Sequence, residues 1–121
     1  MLRRDVREEL ISAAREHRTV TYGRLMKKFK ISRGHPSGAG IVGVISEVDR
    51  FEYERGAPGF AALVVRKDTG YPGGGYFCGD DLPDGLRRPR SRSANPRLSV
   101  AEKRYVRRQQ DGIWEYYQKE A

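Results

Sequence analysis

Five arginines, Arg87, Arg88, Arg90, Arg92 and Arg97, crowd into the stretch GDDLPDGLRRPRSRSANPR, with proline and serine between them and few residues fit for a core. A guanidinium is a permanently charged fork of donors that matches phosphate oxygens. Several of them on an open segment grip a polyanion without reading its bases. Arg24, Lys27, Lys28, Lys30 and Arg33 form a second cluster just after Tyr22, in TYGRLMKKFKISR. His35, Ser37 and the glycines Gly38 and Gly40 come next, at the start of a helix. A phosphate approaching there would meet helix N–H groups and the positive end of the helix dipole. The same glycines, with Gly43, serve equally well for close helix packing. Arg66 and Lys67 lead into a glycine-rich loop with Tyr71, and Arg104, Arg107 and Arg108 fall in the first half of a C-terminal helix. With Tyr22, these basic and polar residues are the predicted nucleic-acid contacts.

Catalysis needs groups that converge, and none is marked. Glu47, Asp49, Asp80, Asp81 and Asp84 have no spacing that identifies a metal-dependent nuclease, and the Gly79–Asp81 GDD reads as a turn. His17 and His35 lack metal-ligand spacing, and no phosphate loop, dinucleotide fingerprint or Ser–His–Asp set is present. The expectation is a non-enzymatic protein with no cofactor and no bound metal. Glu47, Asp49, Glu52 and Glu54, relieved by Arg50 and Arg55, line the polar side of the third helix. A helix with that face is repelled by the major groove, so phosphate contacts should dominate and any base reading should come from its first turn only, or from elsewhere.

The elements that must position these groups follow from periodicity. Val6, Leu10, Ala13 and Ala14 predict a first amphipathic helix from about Arg3 to His17. Thr21 is a predicted N-cap for a second helix carrying Leu25, Met26 and Phe29. Ile41, Val44, Ile45, Val48 and Phe51 give a third helix, from about Ala39 to Arg55, closed by Gly56. FAALVV reads as a strand, RKDTGYPGGG as a mobile turn and YF as the start of a returning strand, a β-hairpin. Residues 79–98 then read as an irregular arm. Ser99 and Glu102 form a capping box for the last helix, which Gly112 should weaken midway. Tyr105, Trp114, Tyr116 and Tyr117 are expected to pack that helix on the core. Trp114 and Tyr116 lie off its main apolar stripe, which leaves an exposed patch or a homodimer seam open. The fold class is therefore α+β: a winged-helix-like three-helix core with a hairpin wing over residues 1–78, an arm over 79–98 and an added C-terminal helix over 99–121.

Three segments, VTYGRLMKKF, GAGIVGVI and PGFAALVVRKDTGYPGGGY, occur in order between Thr19 and Phe77. They resemble the tyrosine-led second helix, the turn into the recognition helix, and the strand with glycine-rich hairpin of one DNA-binding domain. It belongs to the O6-alkylguanine-DNA alkyltransferases and the alkyltransferase-like proteins. The resemblance implies a winged-helix scaffold with Tyr22 at the family tyrosine. It departs at the chemistry: the reactive cysteine would fall near Ala61 or Ala62, its neighbouring His–Arg pair is missing, and the arginine that replaces a flipped base would fall at Gly40. Cys78 lies after the hairpin. The scaffold is implied and alkyl transfer is not.

With 24 basic and 16 acidic residues in 121, the formal charge is +8, a field that attracts polyanions. One cysteine excludes an intrachain disulfide and suits a cytoplasmic setting. No apolar run has signal-peptide or membrane-span length, so a soluble protein with no membrane partner is expected. The expected partner is DNA, duplex in preference. RNA or single-stranded binding through Tyr71, Tyr105 and Trp114 is one alternative. The other is a protein-interaction module of a mobile-element or defence system, docking through the acidic side of the third helix and the late aromatics.

Overall fold

The apolar stripe Val6, Leu10, Ala13 and Ala14 forms one face of α1 (Arg4–Arg15), and all four residues are buried. Asp5 in the first turn and Arg15 in the last complement the helix dipole. The computed structural model describes residues 2–34, 40–79 and 82–120 of the chain. Within them it is an α+β arrangement of four α-helices, several short 3-10 turns and one two-stranded parallel sheet.

β1 (Val20–Thr21) runs directly into α2 (Tyr22–Phe29). Thr21 is the N-cap: its Oγ1 accepts from the Arg24 N–H at 3.1 Å, satisfying one donor that the helix leaves over. α2 stops at Lys30, whose left-handed φ of 53° turns the chain away. α3 (Ile41–Glu54) ends where Gly56, at φ 81°, accepts a conformation that side chains resist.

The phase of α3 differs from the expected one. Ile41, Ile45 and Val48 are buried as anticipated, and the same stripe continues one turn on to Glu52. Phe51, expected in the core, is 37% exposed and lies under the Arg7 guanidinium. Glu52 is fully buried because three elements supply it with donors. Arg7 of α1 forks onto it, the Arg55 Nε donates at 2.7 Å, and the Tyr117 hydroxyl lies 2.8 Å away. Burial alone would raise this carboxyl, but those donors outweigh it and hold it below the ordinary range. Asp49 is buried as well, accepting from the Phe60 N–H at 2.6 Å and the Ala61 N–H at 3.3 Å. Gly59 must be glycine here, since a Cβ would meet the Asp49 carboxyl carbon at 2.5 Å.

The predicted hairpin is replaced by a different pairing. FAALVV begins as a 3-10 turn (Ala61–Leu63) and only Val64–Val65 is strand, β2, which pairs in parallel with β1 in the register Val20↔Val64 and Thr21↔Val65. A loop follows, closed by the Arg66 N–H to the Tyr71 carbonyl and the Gly70 N–H to the Arg66 carbonyl, both at 2.9 Å. Tyr76 and Phe77 lie in a 3-10 helix (Gly74–Cys78) and form no returning strand. The physical reason is a competing use for Phe77. It is fully buried in a second apolar cluster with Leu82, Leu98 and Val106.

That cluster also bears on residues 82–98, which lie in the segment expected to be an irregular arm over 79–98. Leu82 and Leu98 pin both ends of the segment, and 3-10 turns at Asp84–Leu86 and Arg90–Arg92 fold what lies between. α4 (Val100–Glu120) begins with the expected capping box: Ser99 N–H donates to Glu102 Oε1 at 2.8 Å and Glu102 N–H to Ser99 Oγ at 3.1 Å. The helix continues through Gly112 unbroken. Its face of Val106, Gln110, Ile113, Trp114 and Tyr117 is buried, packing α4 on α1 and on the turn before β2. Gln110 donates to the Ala62 carbonyl at 3.0 Å and Trp114 to the Arg18 carbonyl at 3.2 Å. Each fully buried Leu, Val, Ile or Phe contributes about 1.5–3 kcal/mol, so this two-cluster core carries the fold. No helix among the described residues is long and apolar enough to cross a membrane.

Candidate nucleic-acid interface

The parallel pairing of β1 with β2 brings the start of α2 beside the loop after β2. Between them, α3, the folded 82–98 segment and α4 lies a groove of about 1210 Å³. Five of the predicted contacts line it: Tyr22, Arg33, Arg66, Lys67 and Arg90. They come from α2, from the segment after it, from the loop after β2 and from the arm. Side chains remote in sequence thus share one concavity. Tyr22 is held at the wall, its hydroxyl accepting from the Gly73 N–H at 3.4 Å, and burial pushes that hydroxyl up from its ordinary value. Arg66 is forked onto Asp68, with Nε–Oδ1 at 2.9 Å and Nη2–Oδ2 at 2.7 Å, so its charge is partly answered. Lys67 and Arg90 are exposed.

The other predicted contacts are placed elsewhere. Lys28 donates to Glu9 Oε2 at 2.8 Å and Arg24 lies 3.9 Å from the same carboxylate. The Lys28 bond holds Glu9 below the usual carboxylate range, and this cation pair braces α2 on α1. Lys27 and Lys30 are exposed on and after α2. Arg87, Arg92 and Arg97 are exposed on the arm, and Arg104, Arg107 and Arg108 are exposed on α4 without lining the groove. Arg88 is not a surface cation at all: its side chain is 10% exposed and bonded to the protein's own groups. His35 and Ser37, like Asp80 and Asp81, lie outside the described residues.

Some lining residues are not among the predicted phosphate contacts. Tyr53, Tyr76 and Tyr105 stand on the groove wall, over a floor that includes Met26, Ile41, Ile45 and Val65. Tyr53 lies in no motif and Tyr76 reads in the sequence only as part of the hairpin; the fold brings both to Tyr105, a predicted stacking residue. Of the predicted stacking residues, Tyr71 is covered by the Lys103 ammonium at 5.7 Å. Trp114 is buried against His17, ring centroids 3.9 Å apart, so it forms no exposed patch. The acidic side of α3 shrinks too. Asp49 and Glu52 turn inward, leaving Glu47 and Glu54 of the four.

Ala61 and Ala62, where the resemblance would put a reactive cysteine, line the same groove with methyl groups. Neither can act as a nucleophile. Cys78 also borders the groove, with its Sγ 3.9 Å from the Gly74 carbonyl and 3.8 Å from that of Pro89. Among the described residues, no group of three or more His, Cys, Asp or Glu side chains could hold a metal ion. Comparison of the chain with protein-family models, with curated proteins and with solved structures finds no match in any of the three.

Proposed function

We propose that this chain is a non-enzymatic DNA-binding protein that grips the phosphate backbone along the rim of the groove and on the arm beside it. The observation that carries the reading is the meeting of Tyr22, Arg33, Arg66, Lys67 and Arg90, from distant segments, around one concave surface. The scaffold is read as winged-helix-like: α1, α2 and α3 in succession, β2 beside β1, and the 66–71 loop in the position of a wing tip. The burial of Glu52 away from the groove supports the reading, because it removes negative charge that would have faced a polyanion; Asp49 lines the groove, with its carboxylate held by the Phe60 and Ala61 N–H groups.

Arg33, Lys67, Arg90, Arg92 and Arg97 offer roughly five phosphate contacts. Neutralising that many gives a log–log salt slope of about −4.5, hence about a 500-fold loss of affinity between 50 and 200 mM salt. Titration of a labelled duplex at several salt concentrations reads this slope directly. Affinity unchanged up to 0.2 M salt rules the proposal out. A single-stranded or RNA ligand is the second reading, favoured by Tyr53, Tyr76 and Tyr105 on the groove wall. Competition among duplex DNA, single-stranded DNA and structured RNA decides between them.

A further inference from the structure

Arg88 stands apart from the other arginines of the arm. A guanidinium has five N–H donors, and here every one has an acceptor. Nε donates to Glu102 Oε2 at 2.6 Å and Nη2 to Glu102 Oε1 at 2.9 Å, a two-pronged pair with the N-terminal turn of α4. The remaining protons go to three carbonyls of the arm: Asn95 at 2.8 Å, Arg97 at 2.6 Å and Arg92 at 3.2 Å. The cation also lies 5.5 Å over the ring of Phe77. Glu102 is engaged from both sides, since its Oε1 also receives the Ser99 N–H of the capping box. The arm is seated on Gly74, where a Cβ would meet the Ser93 carbonyl at 2.3 Å, Arg88 Nη1 at 2.7 Å and the Asn95 carbonyl at 2.7 Å.

We infer that Arg88 is a positioning residue for polyanion binding. It does not touch phosphate; it folds the arm before the ligand arrives, so that Arg90 borders the groove and Arg92 and Arg97 face solvent beside it. The inference rests on the function proposed above and assigns Arg88 a different role from its neighbours. A segment of arginines, prolines and serines has too little apolar surface to order itself, and self-repulsion of its charges opposes compaction. One saturated guanidinium answers both problems. It donates to the Asn95 and Arg97 carbonyls and reinforces the Arg92 carbonyl, which also accepts from the Asn95 N–H, and it anchors all three to a carboxylate on a rigid helix. Binding then needs no further ordering of the arm.

Arg88→Lys keeps the charge and loses the fork, because an ammonium cannot span two carboxylate oxygens and three carbonyls. Arg88→Lys should therefore weaken duplex binding on the order of thirtyfold, because an arm that is loose before contact gives up part of its phosphate grip. Its salt slope should also become shallower. Amide hydrogen exchange over residues 82–98 should speed up while α1 and the Tyr117 end of α4 keep their protection. Gly74→Ala should reproduce the effect by pushing the arm off its seat, with every arginine intact. Arg90→Gln with Arg92→Gln should weaken binding in the wild-type background without loosening the arm, and should weaken it much less in the Arg88→Lys background. That coupling is a readout that loss of stability alone does not move. If Arg88→Lys keeps its affinity, or the arm keeps its protection, the inference falls and the proposed function stands. If the unaltered protein binds no duplex, single strand or RNA at low salt, the function falls and the inference with it.

Discussion

Replacing Glu52 by glutamine keeps the shape of the side chain and removes the one charge on which α1, α3 and α4 converge. The wild-type carboxylate takes the Arg7 fork, the Arg55 Nε at 2.7 Å and the Tyr117 hydroxyl at 2.8 Å, all at a site with no exposure. Hydrogen bonds to a charged group are each worth about 1.5–3 kcal/mol. Arg7 and Arg55 are 22% and 31% exposed, so both recover hydration once the carboxylate is gone. The Tyr117 hydroxyl keeps the Pro58 carbonyl at 2.9 Å as its acceptor. The net loss is then about 3 kcal/mol, at the lower edge of what breaking a buried ion pair costs. For a chain of this size that lowers Tm by roughly 12 °C. The pH dependence follows from the same site. The folded-state value of Glu52 lies below its ordinary 4.5, so its contribution is complete above that value and disappears as pH falls through the depressed one. Circular-dichroism melts and urea titrations from pH 7 down to about pH 3 should show the wild type losing stability more steeply than Glu52→Gln. A loss under 1 kcal/mol at pH 7, or parallel pH profiles for the two proteins, would refute the reasoning.

Further outcomes are open to measurement. Gly59→Ala should cost about 2 kcal/mol, because the new methyl drives into an Asp49 carboxylate that two backbone N–H groups hold in place; a urea midpoint unchanged from wild type rejects that contact. Trp114→Phe deletes the donor to the Arg18 carbonyl and part of the stack on His17, with an expected cost of about 1.5 kcal/mol. Equal stability of the two proteins would place Trp114 outside the core.

Local signals were legible in the sequence wherever their cause is local. Thr21 caps α2 and Ser99 pairs with Glu102 because both devices act within four residues. The stripe of α1 and the glycine stop of α3 are equally short-range. Glu52 was misplaced because a carboxylate reads as solvent-facing until its partners are known, and two of those partners, Arg7 and Tyr117, sit on other helices. Its position in phase with Ile41, Ile45 and Val48 was the available signal. The β1–β2 pairing joins segments more than forty residues apart, and nothing in VTY or LVV names the other. Residues 82–98 carry no periodicity, so their folding around Arg88 had no pattern to betray it. Of the groove, the cations, Tyr22 and Tyr105 were legible in the sequence, and the placing of Tyr53 and Tyr76 beside them was not.

The packing of the first helix on the last has a consequence for synthesis. A chain emerging from the ribosome presents α1 with its buried stripe uncovered until α4 exists, at about 5–20 residues each second. The Glu52 carboxylate waits for Tyr117, and the Arg18 carbonyl waits for Trp114. The core therefore closes only after Tyr117 has left the ribosome, and interruption before Tyr117 leaves a nascent chain that holds its basic surface but has no closed core.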